Sequence, residues 1–296
     1  MTGRRGRSVF VGLALAVVAA GCGGGGSSPS SEPSSEPVRF EVRTETFVDT
    51  SRAAARTLET SIYLPAAPDG ARPLILFVHG SGGNPEFYRV LLEAWAAAGY
   101  VVAAPRFPSD VVNQPGDVSF VITELLRLSS ATTGPYSGLV DAARIGAAGH
   151  SAGGVTVLGA VFNTCCVDRR IRAGVVMAAD APPFPGGTYF TGIRTPLLVV
   201  HGLADPTVPF AEGRRIFDGA LPPKWMLAVP TSEVPSADHA RPYVGTENRP
   251  LPDTRLVMAT TLGFLDRYLR DDREAPARVR KALDAEVSFR LDVVET

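Results

Sequence analysis

Five consecutive residues, Gly149-His150-Ser151-Ala152-Gly153, are the part of the chain best suited to chemistry. They follow the largely apolar run 144–148 and precede a second apolar run, 155–162, that predicts a helix. A G-x-S-x-G motif between a strand and a helix is typical of a tight turn that holds a serine hydroxyl above a sheet. The flanking glycines permit the turn because they carry no side chain. We therefore predict that Ser151 is a nucleophile.

Strand-like and helix-like runs alternate from Val38 onward and must position this serine. Continuous apolar runs such as 74–78 predict strands that are buried on both faces. The alternation predicts one α/β domain, 38–296, whose sheet is covered by helices on both faces. The predicted strands are 38–48, 58–64, 74–78, 101–104, the run before Ser151, 172–179, 196–201 and 225–229, and the predicted helices are 86–97, 117–128, 155–162 and 256–269.

With the serine motif, this pattern resembles the α/β-hydrolase superfamily over residues 38–269. The resemblance implies a mostly parallel, eight-stranded sheet, and the short segment 180–195 implies a small lid or none. Val48–Arg52 and Arg56–Pro65 resemble the branch that contains dienelactone hydrolases, platelet-activating-factor acetylhydrolases and chlorophyllase-like enzymes. Cutinase-like polyester hydrolases have a similar core. The resemblance implies a serine carboxylic-ester hydrolase that forms an acyl-enzyme from short-chain or exposed polymeric esters and uses no cofactor or metal.

A serine hydroxyl needs a base, and the base needs an acid that orients it. In the superfamily the acid and then the histidine follow the serine along the chain. Among the four histidines, His239 alone lies after the serine in a loop beyond the expected acid, and we predict that it is the base. His150 is inside the turn, so we expect its side chain to point away from Ser151. His201 ends a strand and is predicted to be structural.

The predicted acid is Asp205. Its segment, His201–Pro209, resembles the superfamily motif in which an aspartate after a buried strand is followed by a short turn and Val-Pro. Two alternatives remain. Asp180 also follows a strand, where some α/β-hydrolases place the acid, and Asp238 is the neighbour of His239.

Two backbone N–H groups are predicted to bind the oxyanion of the tetrahedral intermediate. The first belongs to Ala152, which follows the nucleophile at a helix N-terminus. The second belongs to Ser81, because His79–Gly83 matches the H-G-x-G pattern of the superfamily. The same segment lacks the Gly-Lys-Ser/Thr ending of a phosphate-binding loop.

The N-terminus predicts export. Three arginines precede the apolar run Val9–Ala20, which is short for a membrane span and typical of a signal peptide, here 1–21. Ala19-Ala20-Gly21-Cys22 resembles the lipobox of bacterial lipoproteins, in which the cysteine is lipidated. Residues 22–37 then have the composition of a flexible tether. We expect an enzyme held by Cys22 on the outer face of the cell membrane. An ordinary secretory signal or an uncleaved anchor is the alternative.

The remaining observations limit partners and function. A net charge of −1 argues against electrostatic binding of nucleic acid, and we expect a monomer whose partner is its ester substrate. The adjacent Cys165 and Cys166 form either a disulfide or two buried thiols, and their spacing is not that of metal ligands. Aromatic residues in loops after strands either line a substrate pocket or pack in the core; these are Phe107, Phe184, Tyr189 and Phe190.

Alternative functions also remain. The fold could survive as a non-catalytic envelope lipoprotein that binds a ligand, or it could serve a serine peptidase or lactonase.

Overall fold

A nine-stranded sheet runs through the described part of the chain in the computed structural model, which describes residues 39–66, 70–231, 238–245, 250–284 and 288–296. All described residues fall in one unit, Pro37–Thr296. The predicted signal peptide, the linker and Cys22 lie outside the described residues.

The strand order is β1-β2-β4-β3-β5-β6-β7-β8-β9. Strands β3 to β8 pair in parallel, whereas β1, β2 and β9 are joined to the sheet by antiparallel pairings. The mostly parallel sheet that the sequence predicts is therefore confirmed. The strands are β1 Phe40–Asp49, β2 Arg56–Pro65, β3 Arg72–Val78, β4 Val101–Pro105, β5 Val140–His150, β6 Ile171–Met177, β7 Leu197–Gly202, β8 Lys224–Val229 and β9 Arg290–Val294.

Helices cover both faces of this sheet, so the central strands are buried on two sides. Apolar side chains of α2, α3 and α4 pack on one face, and those of α1, α5, α6 and α7 pack on the other. A 3₁₀ turn, Pro85–Tyr88, leads into α1. The helices are α1 Arg89–Ala97, α2 Gln114–Ser129, α3 Ala152–Phe162, α4 Phe210–Gly219, α5 Arg241–Val244, α6 Pro252–Leu269 and α7 Ala275–Asp284.

The structure contains one strand more than the eight predicted. β9 pairs with β8 at the edge of the sheet, and its residues are only partly buried, so its sequence lacks the continuous apolar run of the inner strands. Helices α4, α5 and α7 were also not predicted. α4 buries Gly213, Ile216 and Phe217 and is otherwise mostly polar, so it lacks a continuous apolar run like that of α3.

An ion cluster connects the turn between β1 and β2 to the start of α2. Asp117 is fully buried, and its carboxylate accepts from Arg56 Nε at 2.6 Å and pairs with Arg52 Nη1 at 2.9 Å. Arg52 also pairs with Asp49 at 2.8 Å. Because a buried carboxylate is costly without partners, the two arginines explain why Asp117 is tolerated there. The cluster thus joins β1, β2 and α2.

Segment 180–195 contains neither helix nor strand apart from a bridge between Tyr189 and Asn163. A helical lid is therefore absent from this described segment. Among the described residues, no helix combines the length and the apolar character that a membrane crossing requires.

Candidate active site

Ser151 lies in a strained turn between β5 and α3. Its φ of 54° and ψ of −125° fall in a region that residues with a side chain rarely adopt, at a cost of about 1–3 kcal/mol. A Cβ on Gly149 would lie 2.2 Å from the carbonyl oxygen of Gly153, and a Cβ on Gly153 would lie 2.1 Å from that of Val78. Only glycine fits at both positions, so the backbone of β3 and α3 can close tightly around the serine.

Ser151, His239 and Asp205 form a chain of hydrogen bonds. His239 Nδ1 is 2.8 Å from Asp205 Oδ2, and His239 Nε2 is 3.0 Å from Ser151 Oγ. Because a carboxylate can only accept, Nδ1 carries the proton and Nε2 is free to accept from the serine hydroxyl. The structure therefore brings the three residues together in the geometry that general-base activation of a serine requires.

The carboxylate of Asp205 is held in place by the loop after β7. Its Oδ1 accepts the backbone N–H of Thr207 at 2.8 Å and that of Val208 at 2.9 Å, and the side chain is buried. Burial alone would raise the pKa of Asp205, but the hydrogen bonds from His239, Val208 and Thr207 outweigh it and keep the pKa below the usual value. Asp205 is therefore ionised and can stabilise a protonated His239.

Neither alternative acid has this contact in the structure: His239 Nδ1 hydrogen-bonds to Asp205, not to Asp180 or Asp238. His201 supports the same loop, because its Nε2 lies 2.9 Å from the carbonyl oxygen of Val208 and donates to it. Burial lowers the pKa of His201, as expected of a neutral structural histidine.

Ala152 and Ser81, which carry the two predicted oxyanion donors, border the same cavity beside Ser151. Ala152 is the first residue of α3, so its N–H has no acceptor within the helix. Across the described residues, the N–H of Ser81 likewise has no hydrogen-bond acceptor. The loop that carries Ser81 is closed by a hydrogen bond from the N–H of Gly83 to the carbonyl of Gly80, at 3.0 Å. Both donors are thus free for a substrate oxygen.

His79 begins the H-G-x-G segment and has a structural role that the motif alone does not indicate. Its Nδ1 donates to the carbonyl of Gly80 at 2.8 Å, and its Nε2 accepts the N–H of Phe107 at 2.9 Å. Burial lowers the pKa of His79, which favours the neutral ring that these two bonds need. His79 therefore fixes the loop before Ser81 to the segment after β4.

His150 also contributes more than the sequence suggests. It does not hydrogen-bond to Ser151, but its ring lies 4.9 Å from that of His239, centroid to centroid. Its Nε2 is 2.7 Å from the carbonyl oxygen of His239, and its Nδ1 is 2.7 Å from the hydroxyl of Tyr88. No sequence pattern distinguishes Tyr88 from the other tyrosines, because its partner lies 62 residues away in the chain.

Two cavities border the loop that contains Ser81. The larger, about 480 Å³, is lined by Ser151 and His239 and by Phe87, a residue that is 58% exposed. The smaller, about 170 Å³, is lined by Ala152 and Phe107. Of the four aromatic residues considered in the sequence, Phe107 borders this smaller cavity. The other three, Phe184, Tyr189 and Phe190, pack against the core and line neither cavity.

Cys165 and Cys166 form a disulfide after α3, which resolves the alternative left open by the sequence. They line neither of the two cavities beside Ser151. In the described part of the chain, no three His, Cys, Asp or Glu side chains are arranged to hold a metal ion.

Comparison with known families places the chain. Residues 75–296 match the model of the alpha/beta hydrolase family, which covers most of the sequence, all strands from β4 onward and the whole described site. The chain belongs to the alpha/beta hydrolase family. Membership of this family supports hydrolase activity. No curated protein matches the chain.

Acid should destabilise the fold through three buried histidines. Burial lowers the pKa of His79 and His201 and lowers that of His150 to about 3, whereas a histidine in the unfolded chain titrates near 6.5. Between these values the unfolded state binds more protons. The free energy of unfolding should therefore fall as the pH drops below about 6.5, by up to about 1.4 kcal/mol per pH unit for each histidine.

Urea unfolding at pH 7.5 and at pH 5.5 measures this effect. The urea midpoint should be lower at pH 5.5. In His150→Gln the number of protons taken up on unfolding should be smaller by about one, so the unfolding free energy should depend less on pH. An equal unfolding free energy at both pH values would show that these rings do not stay neutral in the folded state.

Proposed function

We propose that the protein is a serine carboxylic-ester hydrolase that works through an acyl-enzyme intermediate. The observation that supports this most directly is the hydrogen-bonded chain Ser151–His239–Asp205 beside two N–H groups without acceptors. A non-catalytic binding protein would have no need for a strained serine aligned with a base and an oriented acid.

In the proposed reaction His239 Nε2 takes the proton of the Ser151 hydroxyl while the serine oxygen attacks the ester carbonyl. Negative charge develops on the carbonyl oxygen, where the N–H groups of Ser81 and Ala152 would donate to it. Protonated His239 then gives its proton to the leaving alkoxide, and the C–O bond of the ester breaks. His239 then takes a proton from water, whose oxygen attacks the acyl carbonyl. The bond between the acyl carbon and Ser151 Oγ breaks, His239 gives its proton to Oγ, and the carboxylic acid leaves.

The two cavities suggest how the ester is oriented. His239 must protonate the leaving oxygen, and it lines the larger cavity, so the alcohol portion would lie there. The acyl portion would then enter the smaller cavity beside Ala152. That cavity, about 170 Å³, has roughly a third of the volume of the larger one, about 480 Å³. The proposed substrates are therefore esters with short acyl chains, and the open larger cavity would admit a bulky or polymeric alcohol portion.

Hydrolysis of p-nitrophenyl esters of graded acyl length tests this function in residues 38–296. We expect kcat/KM to be highest for acyl chains of about two to six carbons and to fall for longer chains. Labelling by a fluorophosphonate probe detects an activated serine and does not depend on the choice of substrate. An enzyme that is neither labelled nor active on any ester would contradict the proposal, whereas labelling with amide hydrolysis alone would favour a peptidase.

We also propose that the enzyme is exported and anchored by a lipid on Cys22, on the basis of the sequence alone. The mature protein should then begin at a diacylglyceryl-modified Cys22, because the lipobox-like junction directs cleavage immediately before that residue. Intact-mass analysis of protein from the membrane fraction measures this directly. An unmodified N-terminus beyond Cys22 would contradict it.

A further inference from the structure

His150 and Tyr88 connect the two halves of the proposed catalytic machinery. The carbonyl of His239 can only accept, so His150 Nε2, 2.7 Å away, must carry a proton. His150 Nδ1 is then an acceptor, and the hydroxyl of Tyr88, also 2.7 Å away, must donate to it. The hydroxyl oxygen in turn accepts the N–H of Gly80 at 3.1 Å. All four groups therefore form one chain with a single direction of donation.

The two ends of this hydrogen-bond chain lie at proposed catalytic groups. Gly80 directly precedes Ser81, whose N–H is a proposed oxyanion donor, and His239 is the proposed base. Neither residue belongs to a helix or strand, so secondary structure alone does not fix their separation. The chain supplies a fixed connection between them.

Close packing supports the same connection. A Cβ on Gly80 would lie 3.1 Å from His150 Nδ1 and 3.2 Å from both the Ser151 Cβ and the Tyr88 hydroxyl. The ring of His150 also packs between those of His239 and Tyr243, with centroids 4.9 and 4.8 Å away. The imidazole thus packs against both ends of the hydrogen-bond chain, Gly80 and His239.

We propose that His150 and Tyr88 are positioning residues, which hold the N–H of Ser81, the proposed oxyanion donor, at a fixed distance from the base His239. This inference rests on the proposed function. Neither residue reacts: His150 remains neutral because burial lowers its pKa to about 3, and burial raises the pKa of Tyr88 to about 12. The direction of the chain is therefore constant over the range in which esterases are assayed.

Two variants interrupt the chain on the side of Gly80. Tyr88→Phe removes the hydroxyl and keeps the ring, and His150→Gln keeps a donor near the position of Nε2 but removes the acceptor for Tyr88. Each should lower kcat by about 10- to 100-fold while KM changes less than about twofold, because misplacement affects the transition state more than substrate binding. The Ki of phenylboronic acid, which forms a tetrahedral adduct with the serine, should rise by a similar factor.

The double variant, Tyr88→Phe with His150→Gln, separates positioning from general damage. If both residues act through one chain, the double variant should lose little more than either single variant. Burst titration of active sites normalises each preparation for its folded fraction. Tyr100→Phe is the matched control: it removes another buried hydroxyl, bonded to Asp266 at 2.7 Å at the opposite end of the sheet, and should leave kcat unchanged.

The outcomes are distinct. Reduced kcat, weaker boronate binding and a non-additive double variant support the proposal. It is overturned if wild-type enzyme hydrolyses esters but both single variants keep kcat within twofold, if their losses add, or if only the number of titratable sites falls. If the wild-type protein is neither labelled by the fluorophosphonate probe nor active on esters, the proposed function is wrong, and this inference is wrong with it. Should Tyr88→Phe not fold, His150→Gln alone decides between the kcat outcomes.

Discussion

Replacing Ser151 with alanine should lower ester turnover by about six decades, because the nucleophile and its base act as one unit in serine hydrolases. The serine Oγ lies 3.0 Å from His239 Nε2, in a turn where a Cβ on either Gly149 or Gly153 would clash with the backbone. Alanine has no atom that could attack the carbonyl. The N–H groups of Ser81 and Ala152, the proposed oxyanion donors, would remain, so a small rate above that in water should persist.

Steady-state hydrolysis of a short-chain p-nitrophenyl ester measures the loss, and fluorophosphonate labelling should disappear in parallel. Ser137→Ala provides the matched control, since this serine is exposed and its hydroxyl bonds to the carbonyl of Ala131 rather than to any residue of the site. Circular dichroism and a urea midpoint close to those of the wild type establish that Ser151→Ala is folded. More than about a thousandth of wild-type activity in such a preparation would require a different nucleophile.

The centre of the fold could be predicted because its physical determinants are local. A strand between two helical layers must be apolar on both faces, so β3, β4 and β7 are visible as continuous apolar runs. The determinants of the Ser151 turn are also local. Close backbone contacts exclude side chains at positions 149 and 153, so both positions are glycine and the turn can be recognised in the sequence.

The parts that were not predicted depend on contacts between distant segments or on weak patterns. β9 is an edge strand with half-buried residues, and α7 buries only Ala275, Val279 and Leu283. Both segments bury few apolar residues, so neither shows the continuous apolar run that predicts the inner elements. Each is stabilised by a neighbour: β9 pairs with β8, and α7 packs on α6.

The same reasoning explains the residues of the site that were missed. The order of Ser151, Asp205 and His239 along the chain could be read from motifs, and the structure brings these three side chains together. Tyr88 and His150 carry no motif for their contact. Their hydrogen bond exists only after the 3₁₀ turn before α1 packs against the end of β5.

Replacing Asp205 with asparagine should lower turnover by roughly 10⁴-fold, through the tautomer of His239. The backbone N–H groups of Thr207 and Val208 both donate to Asp205 Oδ1, at 2.8 and 2.9 Å. In the variant these donors require the amide oxygen on their side, so the amide NH₂ must face His239. An NH₂ group donates, and His239 Nδ1 then has to accept from it.

This reversal places the imidazole proton on Nε2. The ring would then donate to the Ser151 hydroxyl instead of accepting its proton, and the protonated imidazole formed during attack would lack a negative partner. Since the amide has nearly the same shape as the carboxylate, the fold should be retained and the loss should appear in kcat. Asp180→Asn is the matched control and should stay within about tenfold of the wild type, because Asp180 makes no hydrogen bond to His239. An active Asp205→Asn enzyme beside an inactive Asp180→Asn or Asp238→Asn enzyme would assign the acid elsewhere.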